Sequence, residues 1–233
     1  MNNAAALSPF GVKTAGFTVA DLTPEACAFL RCHGAVRRYA QGEVVQLRGA
    51  PPSQGSWLLE GRLVYLGQQP DGAEQHGGWI MPDELFGLHY ILPGLPTRFT
   101  VRVDTDTARI LHFSREVLLE MMRTVPQAGV GVCVGLSRRL QQQYDMIDIK
   151  GSRTLADKLK TLLLWWAKQH GIPARDGSVE LWISQNDIAN GVGGSRQRVH
   201  LELQGLRDAG DIELGYRKLI VRPAFFVRMQ QKT

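Results

Sequence analysis

The stretch from Ile183 to Val221, ISQNDIANGVGGSRQRVHLELQGLRDAGDIELGYRKLIV, leaves the backbone few choices. Ser184 precedes a short apolar-periodic run with Asp187 three residues on, so it can cap a helix through a shortened capping box. Ile188 and Val192 are one turn apart and can face a core. Ala189 is small where a second helix must approach. Gly193 and Gly194 permit a sharp turn, because glycine tolerates positive φ. Ser195 can cap a second helix, in which Val199, Leu203 and Leu206 repeat at helical spacing and close inward. Asp211–Leu214 and Lys218–Arg222 then pair across Gly215-Tyr216-Arg217 as a hairpin. The pattern predicts a helix-turn-helix with a small β-wing. Two residues fit less well: Glu202 falls near the inward side, and Gly205 sits mid-helix, costing roughly 1 kcal/mol against Ala.

The outward face of the second helix, Ser195–Ala209, carries the chemistry. At about 100° per residue, Gln197, His200, Leu201 and Gln204 point away from the apolar stripe. Arg196 and Arg207 flank them, and Arg198 lies in the same first turn. Arg can make two parallel hydrogen bonds to guanine in the major groove, and Gln can do the same to adenine. A recognition helix enters the groove by its N-terminal end, where exposed N–H groups at Ser195 and beyond suit a phosphate oxygen. Ser184 and Gln185 at the start of the first helix complete the candidate contacts, with Arg217 and Lys218 at the wing tip. An ordinary helix pair with a solvated polar face is the alternative.

Charge separates along the chain. Residues 1–149 hold 13 Lys+Arg against 14 Asp+Glu, whereas residues 150–233 hold 14 against 8. The formal net charge of +5 therefore sits in the part with the helix-turn-helix, as expected of a phosphate-binding domain. No run of 18 uncharged apolar residues predicts a membrane span. The start MNNAAALSPFGVKTAGF lacks the pattern of a signal peptide. Cys27, Cys32 and Cys133 do not make a disulfide framework, so a reducing, cytoplasmic setting is expected. Three thiols also fall short of the roughly four thiolates of an iron–sulfur cluster.

Ahead of the basic part the pattern changes. Residues 1–17 read as a loose leader, and Thr23-Pro24-Glu25 starts a short helix ending near His33. From Ala35 to Phe113, β-like runs (VVQLR, SWLLE, RLVYLG, GGWIM, FTVRV, ARILHF) alternate with turn signals about every ten residues, which predicts an antiparallel roll or jelly-roll. Ser114 can cap a helix through Arg123, and Pro126 can start another reaching about Ile149. Within it Gly129, Cys133, Leu136, Leu140, Gln143 and Ile147 step by fours and threes, a heptad seam that predicts a homodimer contact; packing on the chain's own roll is the alternative. Valines around Gly129, Gly131 and Gly135 could also form a strand. A helix over Arg153–His170 stops at Gly171, with Trp165 and Trp166 as core. The expected class is α+β: a β-roll sensor domain (1–125), a dimerisation helix (126–150) and a winged helix-turn-helix domain (151–233).

This order of parts resembles the Crp/Fnr family of bacterial transcription regulators, from about residue 20 to 222. In the roll the resemblance rests on Gly42-Glu43, LLEGRL (Leu58–Leu63), DELFG (Asp83–Gly87) and TRFT (Thr97–Thr100). In the C-terminal part it rests on ISQNDIANGVGGSRQRV. It implies a homodimeric, non-enzymatic, DNA-binding regulator, with RNA polymerase as a further candidate partner. By position it carries base reading to Arg196, Gln197 and Leu201. Arg196 agrees with the family's guanine-reading arginine, while Gln197 and Leu201 replace a glutamate and an arginine of the cyclic-AMP receptor. A different operator, still with two inverted half-sites, is implied.

The ligand set departs further from that receptor. Arg98 stands where an arginine holds the cyclic phosphate, but Leu88 replaces the ribose-binding glutamate and Phe99 a phosphate-binding serine. A buried unpaired phosphate is costly, so the set argues against cyclic AMP and leaves the cofactor unknown. Trp57, Trp79, Phe86, Leu88, His89, Tyr90, Arg98 and Phe99 are instead candidates for an effector pocket, apolar apart from the arginine, or for core. Haem, which the family allows, would need His89 or His112 as ligand. A regulator with a collapsed, effector-free roll, and a cupin-like metal enzyme, are the rival readings; the latter lacks clustered ligands, since His76, His89 and His112 are isolated.

Overall fold

The computed structural model describes residues 17–68, 74–152 and 154–230, apart from the side chains of residues 75–77, 146 and 150. Residues 1–16 of the expected leader, the start of the helix at Arg153 and the ring of His76 lie outside those limits; Phe17, the last leader residue, is not loose but buried in a core cluster. The chain divides into two compact units, with the boundary between Tyr144 and Asp145.

The first unit opens on a 3-10 turn, Val19–Asp21, and on α1, Pro24–His33, capped by the Thr23 hydroxyl accepting from the Ala26 N–H at 3.2 Å. Eight strands follow: β1 (Ala35–Ala40), β2 (Val44–Gln46), β3 (Gly55–Glu60), β4 (Leu63–Gln68), β5 (Glu74–Ile80), β6 (Leu85–Phe86), then a single helical turn α2 (Leu88–Ile91), β7 (Thr100–Val103) and β8 (Thr107–Phe113). They form two antiparallel four-stranded sheets, β1-β8-β3-β6 and β2-β7-β4-β5.

Side chains alternate across the pleat. Leu58, Leu63, Tyr65, Val101, Val103 and Ile110 point into the roll with Phe86. Their neighbours Trp57, Leu111 and Phe113 point outward into a second core with α1, with α3 (Arg115–Thr124) and with the start of α4 (Ala128–Gly151). Ser114 caps α3 as expected. The valines after Pro126 are helical, and α4 begins at Ala128 after Gln127 adopts φ 64°.

The second unit contains α5 (Leu155–His170), β9 (Ile172–Pro173), β10 (Val179–Leu181), α6 (Gln185–Val192), α7 (Arg196–Asp208), β11 (Ile212–Gly215), β12 (Lys218–Val221) and α8 (Pro223–Gln230). Leu162, Leu163 and Trp166 of α5 are buried. Trp165 is only partly buried and donates to Asp145 at 3.3 Å. Gly171 ends α5 with extended backbone, φ −75°. Its glycine is needed for room, since a Cβ would collide with Val179 and the Ala167 carbonyl, not for a left-handed turn.

Candidate nucleic-acid interface and effector pocket

The helix pair is built by the residues that encode it. Ser184 and Asp187 close a capping box: the Asp187 carboxylate accepts from the Ser184 N–H at 3.1 Å, and the Ser184 hydroxyl from the Asp187 N–H at 3.2 Å. Gly193 ends α6 with φ 67°. Gly194 has a different duty, because a Cβ there would stand 2.9 Å from Leu155 and 3.0 Å from Val199. Ser195 caps α7 by accepting from the Arg198 N–H, and Val199, Leu203 and Leu206 are buried. Glu202 is only partly buried and Gly205 is exposed, so neither disturbs the packing.

Ser195, Arg196, Gln197, Arg198, His200 and Leu201 are all exposed on α7, and Gln204 is partly so. Leu201 keeps 62% of its surface. His200 is tied on both sides: Nδ1 lies 2.9 Å from Gln185 Oε1, and Nε2 lies 2.8 Å from Gln204 Nε2. The Gln185 oxygen accepts from Nδ1–H, and Nε2 accepts from the Gln204 amide. His200 thus joins the two helices, while Arg196, Gln197 and Leu201 stand exposed on the outward face of α7. Arg207 pairs with its neighbour Asp208 at 2.8 Å.

In the wing, Arg217 is exposed and holds φ 50°, a left-handed conformation that glycine adopts more easily. Lys218 is drawn back, 2.5 Å from Glu180 and over the Trp182 ring. Tyr216, which sequence reasoning passed over, is 92% exposed at the tip. So was α8, which buries Phe225 and Phe226 and ties Arg228 to Asp211 beside the end of α7. An apolar FF pair after the wing was its only signal.

The effector candidates do not form one wall. Trp57 packs in the outer core under Arg31, whose guanidinium carbon is 4.2 Å from its ring centre, and Trp79 lies under Arg62. The alternation of β3 turns Trp57 away from the roll interior. Arg98 is exposed, and Tyr90 is buried against His89 with ring centres 4.0 Å apart. Phe86, Leu88 and His89 do meet, around a cavity of only about 10 Å3 closed by Phe17, Tyr65, Leu136 and Arg139. Arg139 stacks on Tyr65 at 4.7 Å, and Phe99 meets the same ring edge-on at 5.9 Å. Burial pushes the Tyr65 hydroxyl up to about 12. Phe17 and Arg139 had no local sequence signal, because only tertiary packing brings them to the roll.

His112 is sealed inside the roll, its Nδ1 2.8 Å from Ser56 Oγ and its Nε2 2.8 Å from the Tyr39 hydroxyl. Both ring nitrogens are therefore occupied, which does not suit an axial haem ligand. Among the described residues no group of three or more His, Cys, Asp or Glu could hold a metal ion, and no helix is long and apolar enough to cross a membrane.

On α4, Cys133, Leu140, Gln143 and Ile147 are exposed, the last at 63%. Leu136 departs from the expected seam: it is partly buried against the chain's own outer core. Val130, Val134 and Tyr144 extend the exposed apolar face instead.

Residues 36–125 match the cyclic nucleotide-binding domain. The chain is 24% identical over 188 residues to the global nitrogen regulator of Nostoc sp., covering 80% of this chain and 84% of that one. Its fold is shared with the c-di-GMP responsive global regulator CLP of Xanthomonas campestris (TM-score 0.73, 19% identity, 86% of this chain and 99% of that one). A CooA mutant from Carboxydothermus hydrogenoformans is similar too (TM-score 0.72, 14% identity, 88% and 90%). The chain thus carries a cyclic nucleotide-binding domain over residues 36–125 and a winged helix-turn-helix of the expected build, and over four-fifths of its length it is similar to a global nitrogen regulator.

Proposed function

We propose that the chain works as a homodimer that reads an inverted-repeat operator through α7, under the control of an effector other than a cyclic nucleotide. In this reading residues 1–125 sense, residues 126–150 dimerise and residues 151–233 bind DNA in the cytoplasm, with RNA polymerase as a further partner and no enzymatic activity. The observation that carries it is the division of α7. Val199, Leu203 and Leu206 are buried, while Arg196, Gln197 and Leu201 stand outward from the exposed N-terminal turns. Such a helix can enter the major groove without disturbing its own core. Arg196 offers a bidentate contact to guanine and Gln197 one to adenine. The exposed face of α4, with Val130, Cys133, Leu140, Tyr144 and Ile147, supports a partner helix. Arg139 stacked on Tyr65, with Phe17 lining the same small cavity, leaves the roll little room for a cyclic nucleotide.

Selection of bound duplexes from a random pool tests this reading. The full chain is expected to enrich two inverted half-sites about one helical turn apart; enrichment no better than random competitor would overturn it.

A further inference from the structure

The loop between β2 and β3 overhangs a cleft of about 180 Å3, which shares only Phe86 with the closed cavity beside Arg139. Val45, Leu47, Ala50 and Pro52 supply apolar wall, and among the described residues no ionisable side chain lines it. A cavity of roughly 150 Å3 accommodates benzene, so a single ring with a small substituent fits. A charged guest would lose its hydration without a partner charge.

Two buried hydroxyls also line the cleft, Ser56 at 3% and Thr97 at 4% exposure. Thr97 spends its hydrogen on the Leu47 carbonyl at 2.6 Å, which holds the loop in place. Ser56 is different. It shares His112 with Tyr39, one hydroxyl on each ring nitrogen. Burial, and Arg37 nearby, hold His112 down to about 4, so the ring is neutral. A neutral imidazole carries one N–H. Hence one hydroxyl donates to the ring, while the other accepts from it and keeps its own hydrogen. Tyr39 is partly exposed and can turn to water. Ser56 cannot, so in one tautomer its O–H, and in the other its oxygen lone pairs, are left for whatever enters the cleft.

We propose that this cleft binds an uncharged, ring-sized molecule with one hydroxyl or amide group, its ring against Phe86 and the Ala50–Pro52 turn and its polar group on Ser56. The cleft differs from the cavity beside Arg139 in every lining residue but Phe86, and it rests on the proposed function only for its regulatory meaning.

Methyl-labelled full-length protein, free of DNA, tests the site by NMR with benzamide and benzyl alcohol as probes and benzoate as the charged counterpart. The methyl signals of Val45, Leu47 and Ala50 are expected to shift saturably while those of Leu85, Leu88 and Leu136 stay. Benzoate should bind at least tenfold more weakly. Ser56→Ala should weaken benzamide at least fivefold, and Ala50→Phe, in a partly exposed loop, should abolish binding by filling the cleft even if Ser56→Ala fails to fold. The proposal is overturned by no saturable shift, by shifts centred on Leu88 and Leu136, by benzoate binding equally, or by wild-type affinity in Ala50→Phe. Because no DNA is present, any of these would leave the reading of α7 standing.

Discussion

The guanidinium carbon of Arg139 lies 4.7 Å from the centre of the Tyr65 ring, and this stack occupies the roll next to Phe86 and Leu136. Leu88 and Phe99, at the positions where the resemblance implies ribose- and phosphate-binding side chains, are instead packed into the apolar cores. Calorimetric titration of the full chain with cyclic AMP is accordingly expected to give no saturable heat. Micromolar binding would show that Arg139 and Phe17 yield readily.

Three glycines in helices make a graded test of close packing. In α4 a Cβ at Gly131 would overlap the Asp21 carbonyl and one at Gly135 the ring of Phe17. Phe17 is itself 2% exposed and cannot step aside. Gly131→Ala and Gly135→Ala should each destabilise the first unit by about 1–3 kcal/mol. Gly205 in α7 meets nothing within 4 Å and is exposed, so Gly205→Ala should stabilise by about 0.5–1 kcal/mol. Denaturant unfolding of the variants checks both signs.

The second unit was legible because its constraints are local. Ser184, Asp187, Gly193 and Ser195 each act on backbone within a few residues, so their spacing alone implies the turn. The roll was legible as strands but not as a pocket. Whether Trp57 points into the roll or onto α1 depends on strand register, and one residue's slip reverses it. Leu136 shows the same limit on α4: spacing put it on a helix face without saying against what, and it packs on the chain's own outer core. The neutral imidazole shared by Ser56 and Tyr39 joins residues far apart in the chain, and no spacing rule could show it.

His112 makes the roll sensitive to acid. Its folded-state value, about 4, lies below the ordinary 6.5. Above pH 6.5 neither folded nor unfolded chain binds the proton, and stability is full. As the pH falls from 6.5 to about 4, only the unfolded chain takes it up, at a cost approaching about 3 kcal/mol. Protection factors at the Ile110 and Leu111 amides, which correct for the slower intrinsic exchange in acid, should fall over that window. The His112→Asn variant should lose this part of the slope; an unchanged slope would contradict the assignment.

Cys133 gives the proposed dimer face a built-in reporter. It is exposed on the α4 face that carries Val130, Leu140 and Ile147. In a parallel pair of these helices, two copies of Cys133 meet near the dimer axis. Mild oxidation should yield a disulfide-linked dimer that Cys133→Ser abolishes, and Leu140→Asp with Ile147→Asp should give a monomer in sedimentation. A dimer surviving both aspartates would move the interface elsewhere.

Arg196 is the residue on which the account turns. The most direct measurement is the affinity of wild type and Arg196→Ala for the selected operator and for its single-base-pair variants, at one fixed salt concentration. The variant should lose about 1–3 kcal/mol on the operator and become indifferent to one guanine position in each half-site, with the other preferences kept. Undiminished discrimination at every position would contradict the placement of α7 in the groove.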